Sequence, residues 1–127
     1  GAQGVQIGTL FAASVESSAH ENYKKAVVDS NDSGSVIALK KIGLVRMLKN
    51  EFALRAVDAD ERGASIDELR EVLGKKRERL GIFEGDVNEG ALEAGQSAGL
   101  VKSVLSVDDI FSTLIEEYNA TIQQFRD

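Results

Sequence analysis

The sequence has no cysteine, no proline and no tryptophan, and it has only one histidine and one methionine among 127 residues. Without cysteine, neither a disulfide nor a thiolate metal site can stabilise the fold, and no metal site of another kind is predicted. A reducing cytoplasm is the simplest location for such a chain.

Long apolar runs and an excess of positive charge are also missing. No run approaches the roughly 20 apolar residues of a membrane helix, and the N-terminus lacks the charged head and apolar stretch of a signal peptide. The 15 basic and 21 acidic residues give a formal net charge of −6 and form no long run of either sign. Because nucleic acids and anionic membranes favour basic patches, neither is expected as a partner.

The length is that of one ordinary domain, which buries roughly two thirds of the surface that its unfolded chain exposes. Two segments are typical of strands, Gly4–Ile7 and Ser35–Leu39. A short strand must pair with neighbours to satisfy its backbone groups. Because the sequence starts without methionine and enters the strand Gly4–Ile7 at once, we expect a chain opened in the middle of a fold, with most of its sheet absent.

The remaining pattern predicts helices with marked ends. Capping boxes, in which a hydroxyl and a carboxylate three residues apart satisfy free amides, are predicted at Ser18–Glu21 and Ser65–Glu68. The first would open a helix through Val27, and the second would open a short helix that stops near Gly74. An apolar stripe predicts an amphipathic helix from about Leu44 to Asp60.

The second half of the sequence combines loops and helices. Lys75–Arg79 is predicted to be a solvated turn or helix, and the glycine-rich stretch Gly81–Gly90 an irregular loop of the kind that is usually functional. Ala91–Leu105 is predicted to be helical, and Ser106 to cap a last helix. The apolar stripe of that helix consists of Ile110, Leu114, Tyr118, Ile122 and Phe125.

The junction after the first predicted strand is the first candidate site. Gln6 lies near the strand end, and Gly8 and Thr9 follow it. Glycine permits close approach of a ligand to the backbone, and amides exposed after a strand, with a hydroxyl beside them, commonly hold a phosphate. The same residues also fit a plain turn, and their spacing does not decide between the two.

A run of small residues, Ala94–Gly99, is the second candidate site. Glycine within a helix costs about 1 kcal/mol relative to alanine, so it needs a reason. Either the small residues let helices pack closely, or they make room for a ligand that Gln96 and Ser97 face. The sequence leaves both explanations open.

Four segments, in the same order, resemble the FMN-dependent nitronate monooxygenases, formerly 2-nitropropane dioxygenases, and the related flavin-dependent enoyl-acyl-carrier-protein (enoyl-ACP) reductases. The segments are Gly1–Phe11, Glu16–Lys24, Val45–Asn50, and Gly90 with Ala94–Leu100. The resemblance implies the C-terminal portion of an FMN-binding (β/α)8 barrel, or TIM barrel, that is mainly α in this fragment. Residues 1–30 would be the last barrel strand and the following helix, 31–90 a helical extension with the glycine-rich loop, and 91–127 C-terminal helices packing back on the barrel.

The resemblance also implies roles for the two candidate sites. It places Gly8 and Thr9 at the FMN phosphate, with Gln6 nearby at the strand end. It places Gln96 and Ser97 in the helical cover on the substrate side of the flavin.

The parent enzyme implied by the resemblance is an oxidoreductase that oxidises nitronates with oxygen, and the alternative is a flavin-dependent enoyl-ACP reductase. Either would act on a small-molecule substrate. No catalytic residue is expected in this chain, which should be inactive alone, and His20 is expected to cap or pack a helix rather than to take part in catalysis. Exposed barrel-facing surfaces would favour homo-oligomers.

An alternative of another class is a non-enzymatic helical interaction module in which Phe52 and Tyr118 meet in a bundle.

Overall fold

The computed structural model describes residues 2–125. Its helices and strands follow in the order α1 (Gly8–Ala12), α2 (Glu21–Val28), β1 (Ser35–Ala38), β2 (Val45–Leu48), α3 (Glu51–Glu61), α4 (Ile66–Leu73) and α5 (Val107–Gln124). A wide π-helical turn covers Arg79–Phe83, and a 3-10 turn covers Gln96–Leu100. The described part of the chain is therefore mainly helical, with one two-stranded sheet.

Residues 2–7, which include the predicted strand Gly4–Ile7, do not form a strand. The strands β1 and β2 pair with each other, and across residues 2–125 no strand pairs with this first segment. A strand without a partner cannot satisfy its backbone groups, so the prediction of a strand here is wrong for this chain. Helix α1 begins directly after the segment, at Gly8.

The antiparallel hairpin confirms one predicted strand and corrects one predicted helix. β1 covers the first four residues of the predicted strand Ser35–Leu39, and it pairs with β2 from Ser35 opposite Leu48 to Ala38 opposite Val45. The helix predicted from Leu44 to Asp60 is therefore wrong over its first part. A short apolar run fits both a helix and a strand, and the neighbouring strand decides between them.

Helix α3 begins later than predicted, at Glu51, because Asn50 has extended backbone and caps it. The side-chain oxygen of Asn50 accepts a hydrogen bond of 2.8 Å from the backbone N–H of Ala53. This bond satisfies one of the free amides at the helix start. The apolar side of α3 supplies Phe52 and Ala56 to the core, and both are fully buried.

The other helix starts test the capping predictions. The capping box at Ser65–Glu68 is confirmed in both of its hydrogen bonds, and α4 ends at Leu73, directly before Gly74, whose positive φ of 65° suits glycine. Ser106 caps α5 as predicted. The box predicted at Ser18–Glu21 is wrong, because His20 caps α2: its Nδ1 accepts a hydrogen bond of 3.1 Å from the backbone N–H of Asn22. The predicted capping role of His20 is thereby confirmed.

The helix predicted over Ala91–Leu105 is wrong. Its first residues run alongside β2, since the backbone N–H of Leu48 donates to the carbonyl oxygen of Leu92 at 2.9 Å and Met47 bridges Glu93. Only the 3-10 turn Gln96–Leu100 is helical. Because the paired segments lie more than 40 residues apart in sequence, no local pattern indicates that they pair.

The glycine-rich loop combines the π-helical turn with irregular backbone. Two of its glycines touch: a Cβ added to Gly90 would lie 2.1 Å from the Cα of Gly81. No side chain fits between these backbones, so both positions require glycine. The charged run before the loop, Lys75–Arg79, was predicted to be solvated, and this is only partly correct. The guanidinium of Arg77 lies 5.0 Å from the ring centroid of Phe52, and it donates to the carbonyl oxygens of Leu73 and Glu89.

Two apolar clusters form the core. One lies between the hairpin, α3 and α4, and the other joins α2 to the segment after the glycine-rich loop. Phe52 is fully buried in the first, whereas Tyr118 on α5 is 64% exposed. The two aromatic side chains therefore do not share a core, and the predicted helical bundle in which they meet is wrong.

Candidate functional site

The junction that begins α1 is an open corner of the molecule. Gln6 and Gly8 are exposed and Thr9 is half-buried. Ile7 precedes the helix without a side-chain cap, and within residues 2–125 the backbone N–H groups of Gly8, Thr9 and Leu10 donate no hydrogen bond. These three amides are available to an acceptor from outside the described chain.

The space above Gly8 is empty. A Cβ added to Gly8 would have no atom within 4 Å, apart from its chain neighbours and its own helix. An acceptor such as a phosphate oxygen can therefore approach the backbone of Gly8 without displacing protein atoms. The corner is not buried under apolar side chains, as a plain structural turn in a core would be.

A long-range hydrogen bond brings the two predicted sites together. The side-chain oxygen of Thr9 accepts a hydrogen bond of 2.8 Å from the backbone N–H of Gly95. A Cβ added to Gly95 would lie 3.4 Å from Thr9 Oγ1 and 3.8 Å from Ser97 Oγ, so both hydroxyls lie on the same side of Gly95. Because Thr9 accepts this bond, its own O–H proton stays free to be donated elsewhere.

Within Ala94–Gly99, some residues are packed in the interior and others are exposed. Ala98 and Gly99 are buried, and a Cβ added to Gly99 would lie 2.8 Å from the backbone carbon of Asn31. Close packing therefore accounts for these two residues. Gln96 and Ser97, the first residues of the 3-10 turn, are exposed. Their predicted contact with a ligand stays a prediction.

Asn50 is a structural residue of the region that the sequence interpretation missed. Besides capping α3, its side-chain N–H2 group donates to the carbonyl oxygens of Val87 at 2.9 Å and Gly90 at 2.8 Å. It thereby ties the end of the glycine-rich loop to the start of α3. A cleft of about 610 Å³ lies beside it, with Ser30 and Asn88 among its lining residues. The only sequence signal was a capping residue in front of an apolar run.

A buried tyrosine holds the segment that leads to the second site. The hydroxyl of Tyr23 donates a hydrogen bond of 2.7 Å to the carbonyl oxygen of Glu93. Burial, with a smaller contribution from the charge of Glu93, raises the pKa of Tyr23 to about 12. At neutral pH the hydroxyl is therefore protonated and acts as a donor. Burial, followed by the nearby charge of Glu78, also raises the pKa of the Glu93 carboxyl.

Among residues 2–125, no three His, Cys, Asp or Glu side chains are grouped so that they could hold a metal ion. No helix in this part of the chain combines the length and apolar character needed to cross a membrane.

Two relatives match almost the whole chain but are much longer than it. A nitronate monooxygenase from Paraburkholderia phytofirmans is 28% identical over an alignment of 127 positions that covers 99% of this chain and 34% of the relative. A nitronate monooxygenase from Neurospora crassa is 28% identical over 134 aligned residues, again 99% of this chain and 34% of the relative. The chain thus spans about a third of the length of these relatives.

Solved structures give the same partial coverage. FabK from Thermotoga maritima superimposes with a TM-score of 0.89 and 32% identity over 99% of this chain and 40% of FabK. A point mutant of that protein superimposes with a TM-score of 0.83 and 31% identity over 99% of this chain and 37% of the mutant. A mainly helical chain with one two-stranded sheet is consistent with part of a TIM-barrel protein.

The family model for nitronate monooxygenase matches residues 1–117. These residues include the corner at Gly8 and Thr9, the Thr9–Gly95 hydrogen bond and the 3-10 turn. With nearly the entire sequence matched, the chain belongs to the nitronate monooxygenase family.

Proposed function

We propose that this chain is the C-terminal portion of an FMN-dependent oxidoreductase, and that its first corner holds the phosphate of FMN. The family match over residues 1–117 is the observation that carries the proposal. The parent protein would be a TIM barrel, with residues 1–30 as its last strand and helix, 31–90 as an extension and 91–127 as helices that pack back on the barrel. The unpaired segment before α1 fits this arrangement, because a strand forms only where a partner strand is present.

The corner has the features that a phosphate requires. The N–H groups of Gly8 and Thr9 are free, so they can bind a dianion without a dedicated cation. The open space at Gly8 lets an oxygen approach them. The hydroxyl proton of Thr9 adds one more donor. Gln6, which is exposed on the preceding segment, would contribute its side-chain amide.

The 3-10 turn would lie on the other side of the bound ligand. The bond from Gly95 to Thr9 fixes the start of this turn relative to the phosphate corner. Gln96 and Ser97 would then face the substrate with their exposed polar groups. FMN, when bound, supplies the electron-transfer chemistry, and the residues of this chain bind it and orient the substrate side.

Oxidation of nitronates by oxygen is the preferred activity, and reduction of an enoyl-ACP is the second candidate. The two nitronate monooxygenase relatives favour the first. FabK is an enoyl-ACP reductase, and its higher identity of 32% favours the second candidate. The residues that would decide between the two activities would lie largely in the remaining two thirds of the parent protein.

The test is to purify the full-length gene product and to measure its flavin spectrum, its oxygen consumption with a small alkyl nitronate, and its NADH or NADPH oxidation with an enoyl thioester. We expect bound FMN and oxygen consumption that depends on the nitronate. Turnover of the enoyl thioester alone would select the second activity. A full-length protein that neither contains nor binds FMN would overturn the proposal.

The separate chain provides a control. We propose that it is inactive in both assays, because it carries the phosphate corner but no catalytic residue. Activity of the 127-residue chain alone would contradict this assignment.

A further inference from the structure

Tyr23 lies on helix α2 in the interior of the described chain and is only 2% exposed. It belongs to the apolar cluster that also contains Ala13, Leu92 and Ala98. Ala13 directly follows α1, and Ala98 lies within the 3-10 turn Gln96–Leu100, so this cluster connects the two parts of the candidate site. Because residues of this chain bury Tyr23, its burial does not depend on the remainder of the parent protein.

The hydroxyl of Tyr23 is not explained by apolar packing. A phenylalanine would fill the same space, whereas a buried hydroxyl is costly unless it forms a hydrogen bond. That bond goes to the carbonyl oxygen of Glu93, at a distance of 2.7 Å and 70 positions further along the chain. The hydroxyl therefore holds α2 to the backbone just before the 3-10 turn.

The three residues before the 3-10 turn are each held by a different element. The carbonyl oxygen of Glu93 accepts the bond from Tyr23 on α2. The N–H of Ala94 donates to a carbonyl oxygen of β2 at 3.3 Å, and the N–H of Gly95 donates to Thr9 Oγ1 on α1 at 2.8 Å. Only two of these bonds involve a side chain, and Thr9 is also proposed to contact the phosphate. Tyr23 is therefore the side chain that holds this segment from outside the proposed ligand site.

The residues after this segment depend on it for their place. Gln96 and Ser97 are exposed, and the 3-10 turn that they begin has no side-chain cap. The N–H of Ala98 donates to the carbonyl oxygen of Gly95 at 3.2 Å, which ties the turn to the held segment. A shift of the segment therefore moves the two exposed polar side chains.

From these contacts we propose that Tyr23 is a positioning residue of the candidate site, which it fixes through Glu93 without touching a ligand. The hydrogen bond sets the place from which Gln96 and Ser97 bind the organic substrate. The inference rests on the proposed function, in which these two side chains face the substrate. It assigns Tyr23 no role at the phosphate corner, whose amides take no part in this bond.

Amide hydrogen exchange in the 127-residue chain tests the local hold. Tyr23→Phe keeps the ring and removes only the hydroxyl. We expect exchange at the N–H groups of Gly95 and Ala98 to accelerate roughly tenfold relative to that of Leu69 in the other apolar cluster, because the lost bond loosens only one segment. Equal acceleration at all three N–H groups, or none, would overturn the proposal.

Val72→Ala is the matched control for a loss of stability. Val72 packs against the other cluster from α4, so its truncation destabilises the chain at a distance from the 3-10 turn. In this variant, exchange should accelerate more at Leu69 than at Gly95, which is the reverse of the result for Tyr23→Phe. Preferential acceleration at Gly95 in both variants would show that the turn loosens without loss of the Tyr23 hydroxyl, and the proposal would fail.

Steady-state kinetics of the full-length gene product tests the effect on the substrate. For the nitronate or enoyl thioester that the native protein turns over, Tyr23→Phe should raise KM about three- to tenfold and change kcat less, as expected when a displaced side chain loses a hydrogen bond to the substrate. FMN content and the Kd for FMN should stay at their native values, and Val72→Ala should keep the native KM. An unchanged KM in an FMN-containing Tyr23→Phe protein would overturn the positioning role alone. A native protein without FMN would instead overturn the proposed function, and the role of Tyr23 in substrate binding with it.

Discussion

The hydroxyl oxygen of Thr9 accepts a hydrogen bond of 2.8 Å from the backbone N–H of Gly95, a residue 86 positions further along the chain. This bond joins the corner that is proposed to hold the FMN phosphate to the turn that carries Gln96 and Ser97. The bond also leaves the Thr9 proton free, so in the proposed complex one side chain would serve both contacts.

Replacement of Thr9 should separate the role of the hydroxyl from that of the methyl group. Thr9→Val keeps the shape but removes the acceptor, which leaves the partly buried N–H of Gly95 without a partner. We expect the free energy of unfolding of the chain to fall by about 1–2 kcal/mol in urea denaturation, and FMN binding by the full-length product to weaken. Thr9→Ser, which retains the hydroxyl, is the matched control and should stay near the native protein in both measurements. Equal stability of Thr9→Val and the native chain would contradict the structural role of the bond.

A carboxylate at Gly8 should weaken FMN binding without destabilising the fold. A side chain at Gly8 meets open space, and an acidic residue in the first turn of a helix is favourable. In the proposed complex, however, the carboxylate of Gly8→Asp opposes the phosphate. We expect the dissociation constant for FMN of the full-length product, from fluorescence titration, to rise ~10-fold or more. The uncharged Gly8→Asn has nearly the same size, and its smaller effect would identify charge as the cause. Unchanged FMN affinity in Gly8→Asp would place the phosphate elsewhere.

Local sequence patterns predicted the parts of the fold that are determined locally. The box at Ser65–Glu68 and the cap at Ser106 depend on residues three positions apart, and both are present as predicted. Val45–Leu48 was assigned to a helix because its apolar residues fit both periodicities. Its partner, β1, was predicted as a strand, but the pairing between the two could not be derived from either segment alone.

In the candidate site, too, features that depend on neighbouring residues could be predicted, whereas contacts between distant segments could not. The residue types at Gly8 and Thr9 fitted both a phosphate site and a plain turn, and the resemblance to a family favoured the phosphate of FMN. The proximity of Thr9 to Gly95 had no local signal, because it depends on how α1 and the segment after the glycine-rich loop are both packed against α2. The part played by Asn50 was missed for a related reason, since its hydrogen-bond partners Val87 and Gly90 lie at least 37 residues away.

Loss of the amide donor of Asn50 should destabilise the chain even where the cap of α3 is kept. Asn50→Asp keeps the oxygen that accepts from Ala53 but leaves the carbonyl oxygens of Val87 and Gly90 facing a carboxylate. We expect the free energy of unfolding to fall by roughly 2–4 kcal/mol in urea denaturation at neutral pH. Asn50→Ser also caps a helix but introduces no charge, and it should be the less destabilised of the two. If Asn50→Asp were as stable as the native chain, its bonds to the glycine-rich loop would contribute nothing.

The hydrogen bond from Tyr23 to Glu93 predicts a loss of stability at alkaline pH. In the folded chain the pKa of Tyr23 is raised from 10.0 to about 12, so the folded state holds its proton where the unfolded state has begun to release it. The contribution of Tyr23 to the free energy of unfolding is therefore fully present below the pKa of the unfolded state. It is lost as the pH rises from there through the pKa of the folded state. Each tenfold change in proton affinity corresponds to about 1.4 kcal/mol.

Tyr23→Phe removes this titration along with the bond. Its free energy of unfolding should therefore be lower than that of the native chain at pH 8, and the difference between the two chains should narrow towards pH 12. The measurement is urea denaturation of both chains across this range, with the difference between their free energies of unfolding compared at each pH. A gap that stays constant with pH would show that Tyr23 ionises alike in the folded and unfolded states.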